Sequence, residues 1–336
     1  MRELVTGLGI ALIGVLLLAL AAPLFINFSD HRGFFETQLS EALGTKVTIQ
    51  GAINGRFLPF PVVTLEQAQI GEAGSGLELV IQRLHLDIAV MPLLKGEVQV
   101  LDALATKPKI KMALNADGSL PGFSLQGKSA PEQTNDQGYS VGFEKLRLEQ
   151  AELIVSDASS GEVFAAKDIA LNASAPTFRG PWQIEGTGVV NGQVYSTKLS
   201  TGTPEADGRF RSRLIVENEA RSFRMDADGE LFFGKLPEFD GKIQFSGAAP
   251  WPLADGMENR PWNFASAVKI EGRKAILSSI LLDFGQDQGV MKFEGSGDGV
   301  LDAGAGVNLV LSSRQIDLDA SLHVDGQTTS DLRATL

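Results

Sequence analysis

The sequence predicts a mainly β protein, in which a single amino-terminal transmembrane helix and a short amphipathic helix precede a long curved antiparallel sheet. Three observations predict it. Leu4 to Ile26 is a run of 23 residues without a formal charge. From Lys46 onward, apolar residues recur at every second position in segment after segment, the spacing that places them on one face of a strand. Turn residues break these segments at intervals of roughly ten, and 37 Gly supply many of them.

The apolar run comes first. At 1.5 Å per residue it makes a helix of about 34 Å, enough to cross a hydrocarbon core of about 30 Å. Leu8, Ile10, Leu12, Ile13, Val15, Leu16, Leu17, Leu18, Leu20, Leu24 and Phe25 are the side chains expected to face lipid. A cleaved secretory signal is the competing reading, because Ala19-Leu20-Ala21 is an A-x-A pattern and Leu8 to Leu18 would serve as its core. Met1-Arg2-Glu3 carries one basic side chain, and the apolar character continues through Pro23-Leu24-Phe25-Ile26. Both features favour a retained anchor. Either reading exports the remainder of the chain.

Composition narrows the chemistry. With no cysteine, the chain offers no disulfide, thiolate nucleophile or Cys-ligated metal. Its 41 acidic side chains against 29 basic ones give a net charge of −12, which argues against nucleic acid as a partner.

After the anchor (1–28), Asp30 is placed to cap a helix through Phe34, Phe35, Leu39, Ala42 and Leu43, which Gly44 ends. Strands follow through 29–125. Val47 and Ile49 alternate with polar neighbours, Val62 opens the next run, and Leu77, Leu79 and Ile81 alternate cleanly. The alternation slips at Gln82-Arg83 and resumes as Leu84, Leu86, Ile88 and Val90, the signature of a β-bulge. Val98, Val100, Ile110, Met112 and Leu114 continue it.

Residues 126–138 form the longest polar, Pro/Gly-bearing stretch and read as an exposed loop. Over 139–336 the alternation returns at Leu146 and Leu148, Leu153 and Val155, Ile169 and Leu171, Leu214 and Val216, and Phe223 and Met225. It recurs at Ile243 and Phe245, Leu282 and Phe284, Met291 and Phe293, Val307 to Leu311, and Ile316 and Leu318. Asn191-Gly192 is a two-residue hairpin signal. A sheet this long curls into a trough, splits into a sandwich or closes into a barrel, and periodicity does not choose among them.

Several segments resemble the AsmA family. They are the anchor, the helix ending at Leu43-Gly44, Val47-Thr48-Ile49-Gln50-Gly51, Leu58-Pro59-Phe60-Pro61 before Val62, and Pro92-Leu93-Leu94-Lys95-Gly96-Glu97-Val98. Ala151 to Gly161 and Gly180-Pro181-Trp182 are similar more weakly. The resemblance covers residues 1 to about 120 well and the rest diffusely, and the chain is shorter than is common in that family. It implies a bacterial inner-membrane protein with one span and a periplasmic body, built as an open, taco-like β-groove similar to bridge-like lipid-transfer proteins. Phospholipid or another acyl lipid, the inner membrane and other envelope proteins are the implied partners, in phospholipid transport or outer-membrane assembly. Val47, Ile49, Leu77, Leu79, Ile81, Leu84, Leu86, Ile88, Val98 and Val100 are then the candidate groove lining. The alternative is a structural or regulatory envelope protein with a closed β core acting through protein contacts.

Catalytic chemistry is not evident. His31, His85 and His323 lie in separate segments without metal spacing. Gly71 to Gly76 lacks the Lys of a phosphate loop, and the chain has no GxSxG elbow. Asn115 to Gly118, Asp226 to Gly229 and Gly295 to Gly299 read as turns rather than calcium loops. The expectation is a non-enzymatic protein without a metal or cofactor.

Overall fold

A chain whose strands carry one apolar face and no partner layer must bend that face inward. The computed structural model describes residues 32–43, 45–56, 61–72, 76–91, 100–115, 117, 119, 143–157, 161, 163–176, 180–234, 236–250, 259–285, 291–301 and 306–314. The anchor run, Val98, the loop 126–138 and Ile316-Leu318 lie outside these residues. Among the described residues no helix is long and apolar enough to cross a membrane.

Among the described residues, helix α1 (Arg32–Leu43) leads into sixteen strands of one sheet. These are β1 (Val47–Ile49), β2 (Ile53–Arg56), β3 (Val62–Ile70), β4 (Leu77–Ile88), β5 (Val100–Leu114), β6 (Phe143–Asp157), β7 (Val163–Ala175) and β8 (Gln183–Val190). The second half comprises β9 (Gln193–Thr201), β10 (Phe210–Asn218), β11 (Phe223–Phe233), β12 (Pro237–Pro250), β13 (Asn259–Glu271), β14 (Lys274–Phe284), β15 (Met291–Val300) and β16 (Val307–Ser312). The order runs β1-β3-β4 and then consecutively to β16, with β2 paired to β3, so the sheet is open at both ends.

The expected antiparallel arrangement holds on every ladder but one. Strands β5 and β6 run parallel, from Val100↔Phe143 to Leu114↔Asp157. The connection 115–142 is long enough to return the chain to the starting end, as a parallel pair requires. Two turn readings are also corrected. Asp226 to Gly229 lies in the middle of β11, and Gly295 to Gly299 lies within β15.

At Gln82-Arg83 the alternation slips as expected but without the expected bulge, since β4 keeps register with both neighbours there and shifts against β5 only between Asp87 and Ile88; the slip belongs to a row. Gln67 in β3, Lys107 in β5, Gln150 in β6 and Asp168 in β7 all take positive φ, between 48° and 54°. Register is kept from β3 to β4 and from β4 to β5 there, so these strands slip together and Leu65 and Ala68, Ile81 and Leu84, and Ala105 and Pro108 stay on one face, while Gln150 and Asp168 sit at register shifts. Register shifts of this kind sharpen twist and bend.

The two sheet edges differ. At β1, helix α1 covers the free backbone. Glu36 Oε1 accepts from Ile49 N–H at 2.6 Å, Ser40 Oγ accepts from Val47 N–H at 2.9 Å, and Arg32 Nη2 donates to Gly51 O at 2.9 Å. Leu39 packs on Ile49, Ile53, Leu65 and Ala68 beneath it. At the other edge all six residues of β16 are exposed, Val310 to 76%.

Two glycines mark a close approach of neighbouring strands. Gly229 and Gly241 face each other across β11 and β12. A Cβ on Gly241 would sit 2.4 Å from Asp228 O and 2.5 Å from Gly229 Cα. Both obstacles are backbone and have no rotamer with which to yield. Gly241→Ala is therefore expected to cost about 1–3 kcal/mol, read as a lower urea midpoint. Gly202→Ala, where the nearest atom is 3.7 Å away, should stay within about 0.5 kcal/mol of wild type.

Candidate functional site

Following the ladders from strand to strand, one face of the sheet is apolar from β1 to β16. Cross-strand partners share a face, so Val47↔Ile70, Leu65↔Leu84 and Leu86↔Ala103 begin a continuous surface. Ala105↔Leu148, Leu148↔Leu171 and Ala173↔Ile184 carry it across the parallel pair. Leu214↔Leu199, Met225↔Phe245, Phe245↔Phe264 and Leu282↔Phe293 extend it to Gly297↔Leu309 at the far edge. At about 4.8 Å per ladder, the fifteen strands on this path span about 65–70 Å.

Val47, Ile49, Leu77, Leu79, Ile81, Leu84, Leu86, Ile88 and Val100 all stand on this face. Val98 lies outside the described residues. They do not share one environment. Ile49 is 1% exposed beneath α1, and Val47, Ile81 and Val100 are also buried, whereas Leu77, Leu79, Leu84, Leu86 and Ile88 are half-buried. The α1 end of the surface is thus a filled core, and Val100 belongs to a second buried cluster with Ala103 and Ala175, against which Leu86, Leu146 and Trp182 pack.

Sequence reasoning did not assign the second half of the lining. Phe210 and Phe233 lie 5.9 Å apart between ring centroids, Phe223 and Phe245 6.3 Å, Phe245 and Phe264 5.8 Å, and Phe284 and Phe293 6.5 Å. Their rings are half-buried, with no second layer of strands above them among the described residues. The glycines of β15 complement this surface: Gly295 pairs with Ile280 and Leu311, and Gly297 with Leu277 and Leu309. Small residues between bulky ones let the face curve inward without overpacking.

The hydroxyls on this face turn back to the backbone. Ser212 Oγ donates to Gly229 O at 3.4 Å and Ser266 Oγ to Ser278 O at 3.0 Å, while Asn218 Oδ1 accepts from Arg221 N–H at 3.0 Å. The two serine hydroxyls add little polarity to the lining.

The opposite face is ionic. Lys111 pairs with Glu78 at 3.0 Å, Lys109 with Glu152 at 3.0 Å, Arg147 with Asp102 at 3.0 Å and Arg211 with Asp228 at 3.3 Å. Arg213 meets Asp226 at 2.8 Å, and Arg224 bridges Glu217 and Asp226. A cleft of about 400 Å³ on this side is lined by charges of both signs, including Lys145, Glu185, Lys198 and Arg213. His85 hydrogen-bonds Thr64 Oγ1 at 3.0 Å and lies 3.3 Å from Asp87, a surface contact rather than a ligand set. Among the described residues no group of three or more His, Asp or Glu gathers as a metal site.

Asp226 is the most heavily paired of these acids. The Arg213 hydrogen bond, helped by Arg224, holds its carboxyl below the usual carboxylate range. A depressed carboxyl stabilises the fold above its unfolded value and loses that contribution as pH falls through the folded value. Asp226→Asn is accordingly expected to lower stability by about 0.5–1 kcal/mol at neutral pH. In urea titrations the difference from wild type should shrink as the pH falls below about 4.

A family model described as AsmA family matches residues 1–249, well over half of the chain. No curated protein and no solved structure matches.

Proposed function

Because the chain belongs to the AsmA family, we propose that its apolar inner face holds the acyl chains of a phospholipid or other lipid, serving lipid transport or outer-membrane assembly. One observation carries this reading: a single open sheet whose inner face is apolar, with Val268, Ile280 and Met291 buried and the phenylalanines of β10 to β15 half-buried, and with most of the ion pairs on the other side. Each methylene taken from water into such a lining gains about 0.8 kcal/mol. A lipid is therefore held by continuity of apolar contact, and its headgroup stays outside. No bond is made or broken, so the reading is non-enzymatic.

The anchor expected at Leu4 to Ile26 would fix one end of the sheet at the inner membrane, with the body in the periplasm. Helix α1 follows that run directly and caps β1, so the covered end of the face lies next to the anchor in sequence. The closed-core alternative needs a filled face throughout. Dense burial of large side chains beneath a covering helix is found at β1–β3 under α1, while the phenylalanine-lined stretch from β10 to β15 has no such cover among the described residues.

Purified from its host membrane, the protein should carry lipid visible by native mass spectrometry. Phe245→Asp places a carboxylate on the open face. It should reduce lipid occupancy at least tenfold while cooperative unfolding is retained, and Gln244→Asp on the other face should not. Lipid-free wild-type protein, or equal occupancy in both variants, would overturn the reading.

A further inference from the structure

Arg273 makes the one ion pair among the described residues that joins strands far apart in the sheet. It follows Gly272 in the turn between β13 and β14, yet its guanidinium grips Asp157 at the end of β6, with Nη2 at 2.6 Å from Oδ1 and Nη1 at 2.8 Å from Oδ2. The same group donates to Asn115 O at 3.0 Å and Leu301 O at 3.2 Å. The two side chains are only 10% and 18% exposed.

The turn is shaped for this contact. Gly272 takes φ +57, and a Cβ there would lie 3.0 Å from Asp117 O, so both the conformation and the space disfavour a side chain. On the other side, Asn115 N–H bonds Ser119 O at 2.9 Å and Ser119 N–H bonds Asp117 Oδ1 at 2.9 Å. This tight turn presents the carbonyls that Arg273 and Gly272 meet.

The strand ends involved begin on opposite rims. The end of β6 pairs with the start of β7, and tracing the ladders onward brings the start of β13, not its end, to the rim of Asp157. Seven ladders at about 20–25° of twist each amount to roughly 140–175°. That half-turn carries the β13–β14 turn round to Asp157, and curling of the sheet closes the remaining gap. Asp157 stands in register with Leu153 and Val155 on the apolar face, so the contact is made from the inner side.

A circuit results. It runs from Asp157 through eight ladders, β6 to β14, and returns through side chains, because β6 is hydrogen-bonded to β5 and β7 and β14 to β13 and β15. The strands of this circuit carry Phe210, Phe223, Phe239, Phe245 and Phe264 on the apolar face. We propose that the Arg273–Asp157 pair is a clasp across the open side of this aromatic section, and that its opening admits or releases the bound acyl chain laterally. This rests on the lipid-holding reading above. The clasp is well suited to reversible use: a bidentate pair of fixed geometry, backed by two carbonyls, is strong when seated and lost as a unit.

The chain's lack of cysteine allows a clean test. In Asp157→Cys/Arg273→Cys, a reducible bis-thiol linker locks the seam, and Asp157→Asn/Arg273→Gln loosens it without orphaning a buried charge. Exchange of a fluorescent phospholipid between full-length protein and donor vesicles is measured for each. The locked protein should exchange at least tenfold more slowly than after reduction, and the neutral pair at least tenfold faster than wild type, with equal lipid bound at equilibrium. Equal rates before and after reduction would overturn the clasp. Spin labels at Val163 and Lys274 give a second, lipid-independent readout. The distance between them should be single and short in wild type and broadened in the neutral pair; an unchanged distribution overturns the clasp even where lipid is bound. If the distribution broadens but wild type takes up no lipid, the lipid-holding reading fails instead.

Discussion

One constraint organises the molecule: among the described residues, a single sheet with a continuous apolar face has no second layer to cover it. Strand register keeps that face unbroken, because cross-strand partners from Val47↔Ile70 to Gly297↔Leu309 pair apolar or small residues on the same side. Curvature is the remaining way to shelter it from water. The row of positive-φ residues at Gln67, Lys107, Gln150 and Asp168, the opposed Gly229 and Gly241, and the β15 glycines are positions at which the backbone departs from a flat ladder or neighbouring strands approach closely. The ionic pairs line the convex side, where cross-strand partners gain modest energy and keep solvent.

Edges follow the same logic. An unpaired strand edge offers its backbone to any passing strand. At β1 the protein spends α1 on this problem, turning Glu36 and Ser40 into acceptors for strand N–H groups while Leu39 seals the first core. Nothing comparable covers β16 among the described residues. The seam between β6 and β14 is a third boundary, closed by the Arg273–Asp157 pair rather than by a ladder.

Much of this was legible in the sequence, for a simple reason. Strand periodicity needs only local contrast between neighbours, so the alternation from Val47 to Leu114 and the slip at Gln82-Arg83 could be read directly, as could the Asn191-Gly192 hairpin. Contrast fails where small residues stand on both faces. Ala265-Ser266-Ala267 hides β13, and Gly295, Gly297 and Gly299 look like a turn because their bulky partners, Leu277, Ile280, Leu309 and Leu311, are elsewhere in the chain. Asp226 and Asp228 mimic a turn because their arginine partners sit on β10 and β11. The direction of β6 and the contact between Arg273 and Asp157 depend on the path of the whole chain. No local pattern encodes either. The family match over residues 1–249 includes the segments whose motifs resemble the family and extends well beyond them.

The most direct test of the account is where an acyl chain touches the protein. A phospholipid carrying a photoactivatable diazirine in its acyl chain, loaded onto the full-length protein and irradiated, leaves adducts that peptide mass spectrometry can place. The account predicts adducts on alternate residues of β10 to β15, at Met225, Phe245, Phe264 and Phe293, and none at Gln244, Asn263 or Lys292. Adducts on both parities, or confined to residues 1–31, would contradict it.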